Sequence, residues 1–408
     1  MATLFLILYS RFVSHNGLHY LGHKNYGWDL PSFWAASVQV FRHGGSPYAV
    51  ESLQALMGAD VDVSPYLYHP GSLLFFWPLS WMDCGTAWLA VLVANHALIF
   101  IMLCLISCFL LRGPRWSRNN ALILAFTFTY VLNYQPIQPT LCSGQVDLLL
   151  LTFLIGFWVF SKKCAPFRAG LCLALAIFLK TYPLILLPLL VLVGRPKNAL
   201  YTLFWLGLLV VLSFLVLPIS LWCEWLTQVA PHGGYGRTMP GCSDFLTSVE
   251  NQSLNAFFTR LFMQSQQSRL LFEQPALLAR GLTYAAATAV AAVTAFAVWK
   301  GGRAASSLDR MIACALPAIF LIAPLSWEHH LVYVLPAILL LLTCRDRLPS
   351  LSALLFRTLC LLAAVIIALG VPPQWMFVKF FAIVIFWGCA IFAAMSDRVL
   401  FYGDEEEA

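Results

Sequence analysis

In a chain this apolar, the side chains able to do chemistry are few, and most stand beside interruptions in hydrophobic runs. Asp29 precedes Leu30 and Pro31 at the start of an amphipathic stretch, where a carboxylate can cap a helix or act in a site, and in either role is fixed at the membrane surface. Lys180 opens Lys180-Thr181-Tyr182-Pro183, which breaks the run 169–194. An ammonium at that depth requires an anionic partner, either a distant carboxylate or an anionic ligand. Glu328-His329-His330 breaks the run 311–343, and a Glu328–Lys180 ion pair is the plain structural alternative to a ligand role. Asn251, Gln252 and Arg260 end a long polar stretch; amides and a guanidinium suit sugar hydroxyls and phosphate, and would equally cap a loop helix. Tyr68 and His69 sit among aromatics that fit an interfacial belt. Gln145 precedes Asp147, which opens another apolar run where the helix dipole alone would favour an acid.

The elements that must hold these groups follow from composition. Of 408 residues, 61% are hydrophobic and 10% charged, and the mean hydropathy is +0.80. At about 20 residues per crossing, the chain is expected to be an all-α polytopic membrane protein with roughly 10–12 transmembrane helices and one membrane domain over 1–408. The basic connections Arg112/Arg115/Arg118, Lys162/Lys163/Arg168, Arg195/Lys197, Lys300/Arg303/Arg310, Arg345/Arg347 and Arg398 read as cytoplasmic by the positive-inside bias. Residues 15–83 then form a first outer loop with interfacial helices, and 218–281 a second. For parity, 169–194 and 311–343 must each start and finish inside, as broken helical hairpins; a single Pro-kinked span is the alternative for the first. Residues 70–82, with Pro70 and Pro78, are too short to cross and are expected at the outer interface. The first span, Ala2 to Val13, is short, and an acidic tail covers 404–407.

Other classes find no support. The net charge of +6 comes from basic residues that punctuate apolar runs, so nucleic acid is not indicated. No Walker loop, GxGxxG, HExxH or GxSxG occurs, which argues against ATP-driven pumps, nucleotide-binding enzymes and zinc proteases. Six of the twelve cysteines (Cys104, Cys108, Cys172, Cys314, Cys360, Cys389) lie in apolar runs and act as small hydrophobes. Cys223 and Cys242 share the second outer loop and are candidates for a disulfide there.

In order and spacing, the motifs resemble glycosyltransferase family 87, the polyprenol-phosphate-mannose-dependent alpha-mannosyltransferase-like enzymes of the GT-C superfold. The resemblance rests on Asp29 with Trp34-Ala35-Ala36 and Gly45-Ser46-Pro47-Tyr48, Tyr68-His69-Pro70 with Trp77-Pro78-Leu79, and Gly144-Gln145. Ala169-Gly170 with Lys180 to Pro183, Asn251-Gln252-Ser253 and Ser326 to His330 complete it. Asp147 departs from the pattern, standing where an amide residue is expected after Gly-Gln. The resemblance implies a GT-C-like fold in a bacterial inner membrane with the active site facing the periplasm. There a polyprenyl-phosphate sugar, mannose first among the choices, would donate to a glycolipid or glycan acceptor. Asp29 aligns with the family's catalytic acidic residue and is expected to be the base of an inverting displacement. Lys180, His330 and Arg260 are expected around the phosphate; Glu328, His329, Asn251, Gln252, Gln145 and Tyr68 are expected to contact sugar or acceptor. A polyprenyl phosphate is a good leaving group, so neither a metal nor a further cofactor is expected. The competing readings are a secondary transporter or flippase of lipid-linked sugars, since broken hairpins also build transport sites, and a lipid-linked glycan polymerase or ligase. A single cavity joining Asp29, Lys180 and His330, open both to lipid and to the outer water, would favour the transferase; a central pathway able to open to both aqueous sides would favour transport.

Overall fold

A computed structural model describes residues 9, 10, 12, 27–59, 61–110, 118–237, 242, 245–262, 276–302, 306–370, 372 and 375–401. Most of the first span, Arg112, Arg115, Arg303 and the acidic tail lie outside these residues.

The described residues are mostly helical. They begin with α1 (Leu30–Phe41), α2 (Val50–Met57), α3 (Leu73–Phe76), α4 (Cys84–Leu110), α5 (Arg118–Leu132), α6 (Ile137–Ser143) and α7 (Asp147–Lys162). Next come α8 (Pro166–Leu179), α9 (Leu186–Leu192), α10 (Pro196–Val216), α11 (Ile219–Glu224) and α12 (Leu254–Phe262). The last are α13 (Ala276–Lys300), α14 (Ser307–Ile322), α15 (Leu335–Thr343), α16 (Ser350–Ala368) and α17 (Met376–Met395). The one sheet among the described residues is a two-residue antiparallel pair, Arg345–Asp346 with Val399–Leu400.

Among the described residues, five helices are long and apolar enough to cross a membrane: Cys84–Ser107, Pro196–Val216, Ala276–Lys300, Ser350–Ala368 and Phe377–Met395. The protein is thus an all-α polytopic membrane protein, as its composition requires. α10 turns Leu200, Phe204, Val211 and Leu215 outward, a surface that only lipid or another apolar face can solvate. α14 is the opposite case. Every residue from Ser307 to Leu321 is buried, with α13 and α17 packed against it.

Two helical runs break where the chemistry-bearing residues stand. α8 stops at Leu179, Lys180 is extended (φ −140°, ψ 128°), and a 3-10 turn over Tyr182–Ile185 leads into α9. Pro183 explains the stop, since it lacks an N–H and disfavours helical backbone before it. The start of α8 and the end of α9 both return to the first turns of α10. Gly170 sits against Tyr201 and Thr202, and Arg195 leads directly into Pro196. After α14, Ala323 to Trp327 are irregular, and a 3-10 turn over Glu328–Val334 leads into α15. Residues 70–81 form only short turns, Pro70–Ser72, α3 and Trp77–Trp81, far below a crossing length.

Cys223 and Cys242 do not pair. Cys223 is exposed on the short α11, whereas Cys242 is buried, and both are free thiols.

Candidate functional site

The site begins with two glycines that lock separate segments together. Gly27 (φ +82°) lies so close to the end of α6 that an added Cβ would stand 2.7 Å from the Cys142 carbonyl oxygen. Gly144 (φ +68°) ends α6 in the left-handed conformation, where a Cβ would meet Leu30 at 2.7 Å. Between them Asp29 N–H donates to the Ser143 carbonyl at 3.0 Å. The Asp29 carboxylate makes no capping bond to α1, so the plain structural role open to it from sequence is absent. It turns instead toward Gln145.

Beside it the two helix breaks meet. Lys180 Nζ donates to Asp147 Oδ1 at 2.8 Å and to Gln145 Oε1 at 3.4 Å, and lies 3.3 Å from His330 Nε2. It also stands 5.7 Å from the centroid of the Tyr68 ring. Lys180 therefore has the distant carboxylate, and that carboxylate is Asp147 rather than Glu328. Asp147 is completely buried at the first turn of α7, with Tyr182 Oη 3.4 Å from Oδ1 and His329 Nε2 3.8 Å from Oδ2. Glu328 pairs with Lys379 of α17, which also donates to Gln135 Oε1 at 3.1 Å.

Most of these groups line a cavity of about 870 Å³, with Asp147 and Lys379 behind its wall. Of the residues singled out from sequence, Asp29, Tyr68, Gln145, Lys180, Glu328, His329 and His330 line it. Part of its wall comes from the segment after α11, with His232 and Arg237, and from Glu250. Burial pushes the Asp29 carboxyl up to about 6; a Gln145 hydrogen bond and the Lys180 charge act in the opposite direction. Glu250 is raised too, by burial first and then by the Glu328 charge.

Asn251, Gln252 and Arg260 do not line the cavity. Asn251 Oδ1 accepts from Ser326 N–H at 3.0 Å and Ser253 N–H at 3.2 Å, and its amide donates to the Phe245 carbonyl at 3.0 Å. Gln252 N–H donates to the Ser326 carbonyl at 2.7 Å, and Ser253 and Asn255 both donate to the Pro324 carbonyl at 3.1 Å. Arg260 Nη1 donates to the Ser248 and Asn251 carbonyls. A helix broken inside a membrane protein exposes backbone groups that need partners, and this cluster supplies them to the Pro324 carbonyl and to the N–H and carbonyl of Ser326. Its amides are scaffold for the Glu328–His330 turn, a role the sequence left open as a capped loop.

Asp147, His329 and His330 offer one ligand atom each within 4.8 Å of one another, a donor set sized for a metal ion. The Lys180 ammonium already sits against two of the three, and a divalent ion there would face an adjacent positive charge.

A model of glycosyltransferase family 87 matches residues 66–324, more than half of the chain and most of this cavity. The chain belongs to glycosyltransferase family 87. Two relatives are polyprenol-phosphate-mannose-dependent alpha-(1-2)-phosphatidylinositol mannoside mannosyltransferases. The protein of Mycobacterium tuberculosis is 24% identical over 287 residues, covering 68% of this chain and 62% of the relative. That of Mycolicibacterium smegmatis is 24% identical over 291 residues, covering 67% and 61%. The chain thus aligns with about three-fifths of the length of these relatives. No solved structure matches it.

Within this family 87 chain, sequence reasoning passed over two members of the site. Lys379 is a lone ammonium in an apolar span, which reads as a snorkelling side chain; its place four residues into α17 was the available signal. Gln135 precedes α6 and carries no signal of its own, because its partner comes 244 residues later.

Proposed function

We propose that this family 87 protein is a membrane glycosyltransferase that moves a monosaccharide, mannose by similarity to its relatives, from a polyprenyl-phosphate donor to a glycolipid or glycan acceptor. The observation that carries the reading is that Asp29, Lys180 and His330, from three separate parts of the chain, line one cavity. α7 and α14 each have 16 residues; Lys162, at the far end of α7, stands roughly 22 Å from its cavity end, and Arg310, in the first turn of α14, roughly 18 Å from its own. With those ends cytoplasmic, the cavity faces the periplasm, and the interrupted runs 169–194 and 311–343 are hairpins whose tips support it.

In this reaction the acceptor hydroxyl gives its proton to the Asp29 carboxylate as its oxygen attacks the anomeric carbon. The bond from that carbon to the phosphate oxygen breaks, and polyprenyl phosphate leaves with the electron pair. A single displacement inverts the anomeric centre, and the ring of hydrogen-bond donors at Lys180 and His330 steadies the departing phosphate. Asp147 balances the Lys180 charge until the phosphate arrives, which keeps the ammonium in place within an apolar surround. His329, Glu328, Gln145 and Tyr68 are positioned to contact the sugar or the acceptor. No step requires a metal or a further cofactor.

Purified protein in nanodiscs, incubated with a panel of polyprenyl-phosphate sugars and a glycolipid acceptor, tests the proposal. Release of polyprenyl phosphate with formation of a glycosylated acceptor is expected. Transport of an intact lipid-linked sugar without cleavage would overturn it.

A further inference from the structure

Lys379 is 0% exposed on a span otherwise without charge, a costly placement that only matched partners stabilise. Both its partners belong to the cavity wall, although Lys379 itself does not line it. An ammonium has only donors, so the oxygen of the Gln135 amide must face it and the Nε2 donors must point away. Glu328 gives Lys379 one oxygen, Oε1. Its side chain remains 18% exposed, and among the described residues Oε2 has no protein hydrogen bond. An ion pair can brace helices with both members hidden, but here only Lys379 is hidden. This one leaves a fixed amide donor and a fixed carboxylate acceptor side by side on the cavity wall.

We propose that Gln135 and Glu328, oriented from behind by Lys379, form a subsite for the vicinal hydroxyls of a sugar, with Lys379 as positioning residue. A diol offers one oxygen as acceptor and one O–H as donor, which matches the amide and the carboxylate. The subsite rests on the glycosyltransferase reading, and the sugar it holds is that of the donor lipid or that of the acceptor.

The test compares wild type, Lys379→Met and Lys379→Arg in nanodiscs. It measures Kd for polyprenyl-phosphate mannose and for polyprenyl phosphate, and KM for a glycolipid acceptor. Loss of a charge-assisted contact predicts a change of about tenfold. A donor-sugar subsite weakens polyprenyl-phosphate mannose binding in Lys379→Met and leaves polyprenyl phosphate binding unchanged. An acceptor subsite raises the acceptor KM alone. Lys379→Arg, which keeps the charge, recovers part of either effect. Should Lys379→Met fail to fold, Gln135→Ala at the cavity wall is read in the same way. Unchanged constants in a folded variant overturn the subsite while sparing the enzymatic reading. Wild type that binds neither lipid overturns both.

Discussion

Replacing Asp29 by Asn separates a base from a merely buried polar group, because the two predict opposite results in one protein. Burial raises the Asp29 carboxyl from 3.8 to about 6, so the folded protein binds that proton roughly a hundredfold more tightly than the unfolded chain. That corresponds to an upper bound on the order of 3 kcal/mol, and a half-buried group will show less. The sign follows from which state holds the proton. Below about pH 3.8 both states are protonated and nothing is lost; between 3.8 and about 6 the unfolded chain ionises first, and stability falls as pH rises. Asp29→Asn removes this cost and is expected to melt at the same or a higher temperature than wild type at pH 7.5. Turnover moves the other way. Without the base it is expected to fall about 10²- to 10⁴-fold, and wild-type turnover is expected to rise with pH through about 6. Thermal unfolding in nanodiscs at several pH values, beside polyprenyl phosphate release, reads both effects. A folded Asp29→Asn protein with near wild-type turnover, or a wild-type profile flat from pH 5 to 7, refutes the reasoning.

Lys180→Met leaves Asp147 buried without its counter-charge and should cost about 3–5 kcal/mol of stability. Lys180→Met with Asp147→Asn should recover the fold and not the turnover, as thermal unfolding and product formation would show. Asn251→Ala leaves the Ser326 and Ser253 N–H groups unpaired, at about 1–3 kcal/mol each; a lower melting temperature with unchanged donor Kd in the folded fraction is expected, and a selective loss of donor binding would contradict the scaffold role. Gly144→Ala forces a side chain into left-handed backbone against Leu30 and should lower both stability and turnover, the strain alone costing about 1–2 kcal/mol. Treatment with a chelator should leave turnover unchanged; loss restored by a divalent ion would show that the Asp147, His329 and His330 set holds a metal.

Much of this arrangement was legible from local chemistry. Hydropathy determined that lipid is the solvent, and hydropathy together with Lys180-Thr181-Tyr182-Pro183 and Ser326 to His330 placed the two interruptions, because Pro and charge act on the backbone within a few residues. Asp29 was legible as a fixed carboxylate from the Leu30-Pro31 helix start and the family pattern. The function of each amide and charge was not. Lys180 meets Asp147 from 33 residues away, Glu328 meets Lys379 across 51, and Asn251 supports Ser326 across 75.

Composition and order therefore determined the class of the protein and the residues that needed partners; tertiary structure decided who those partners are. In an apolar surround every charge and every freed backbone group must find a partner, yet the choice depends on which helices pack side by side. Helix packing turned the Asn251 cluster into a brace, gave Lys180 to Asp147, and brought Lys379 from α17 to a place behind the cavity wall.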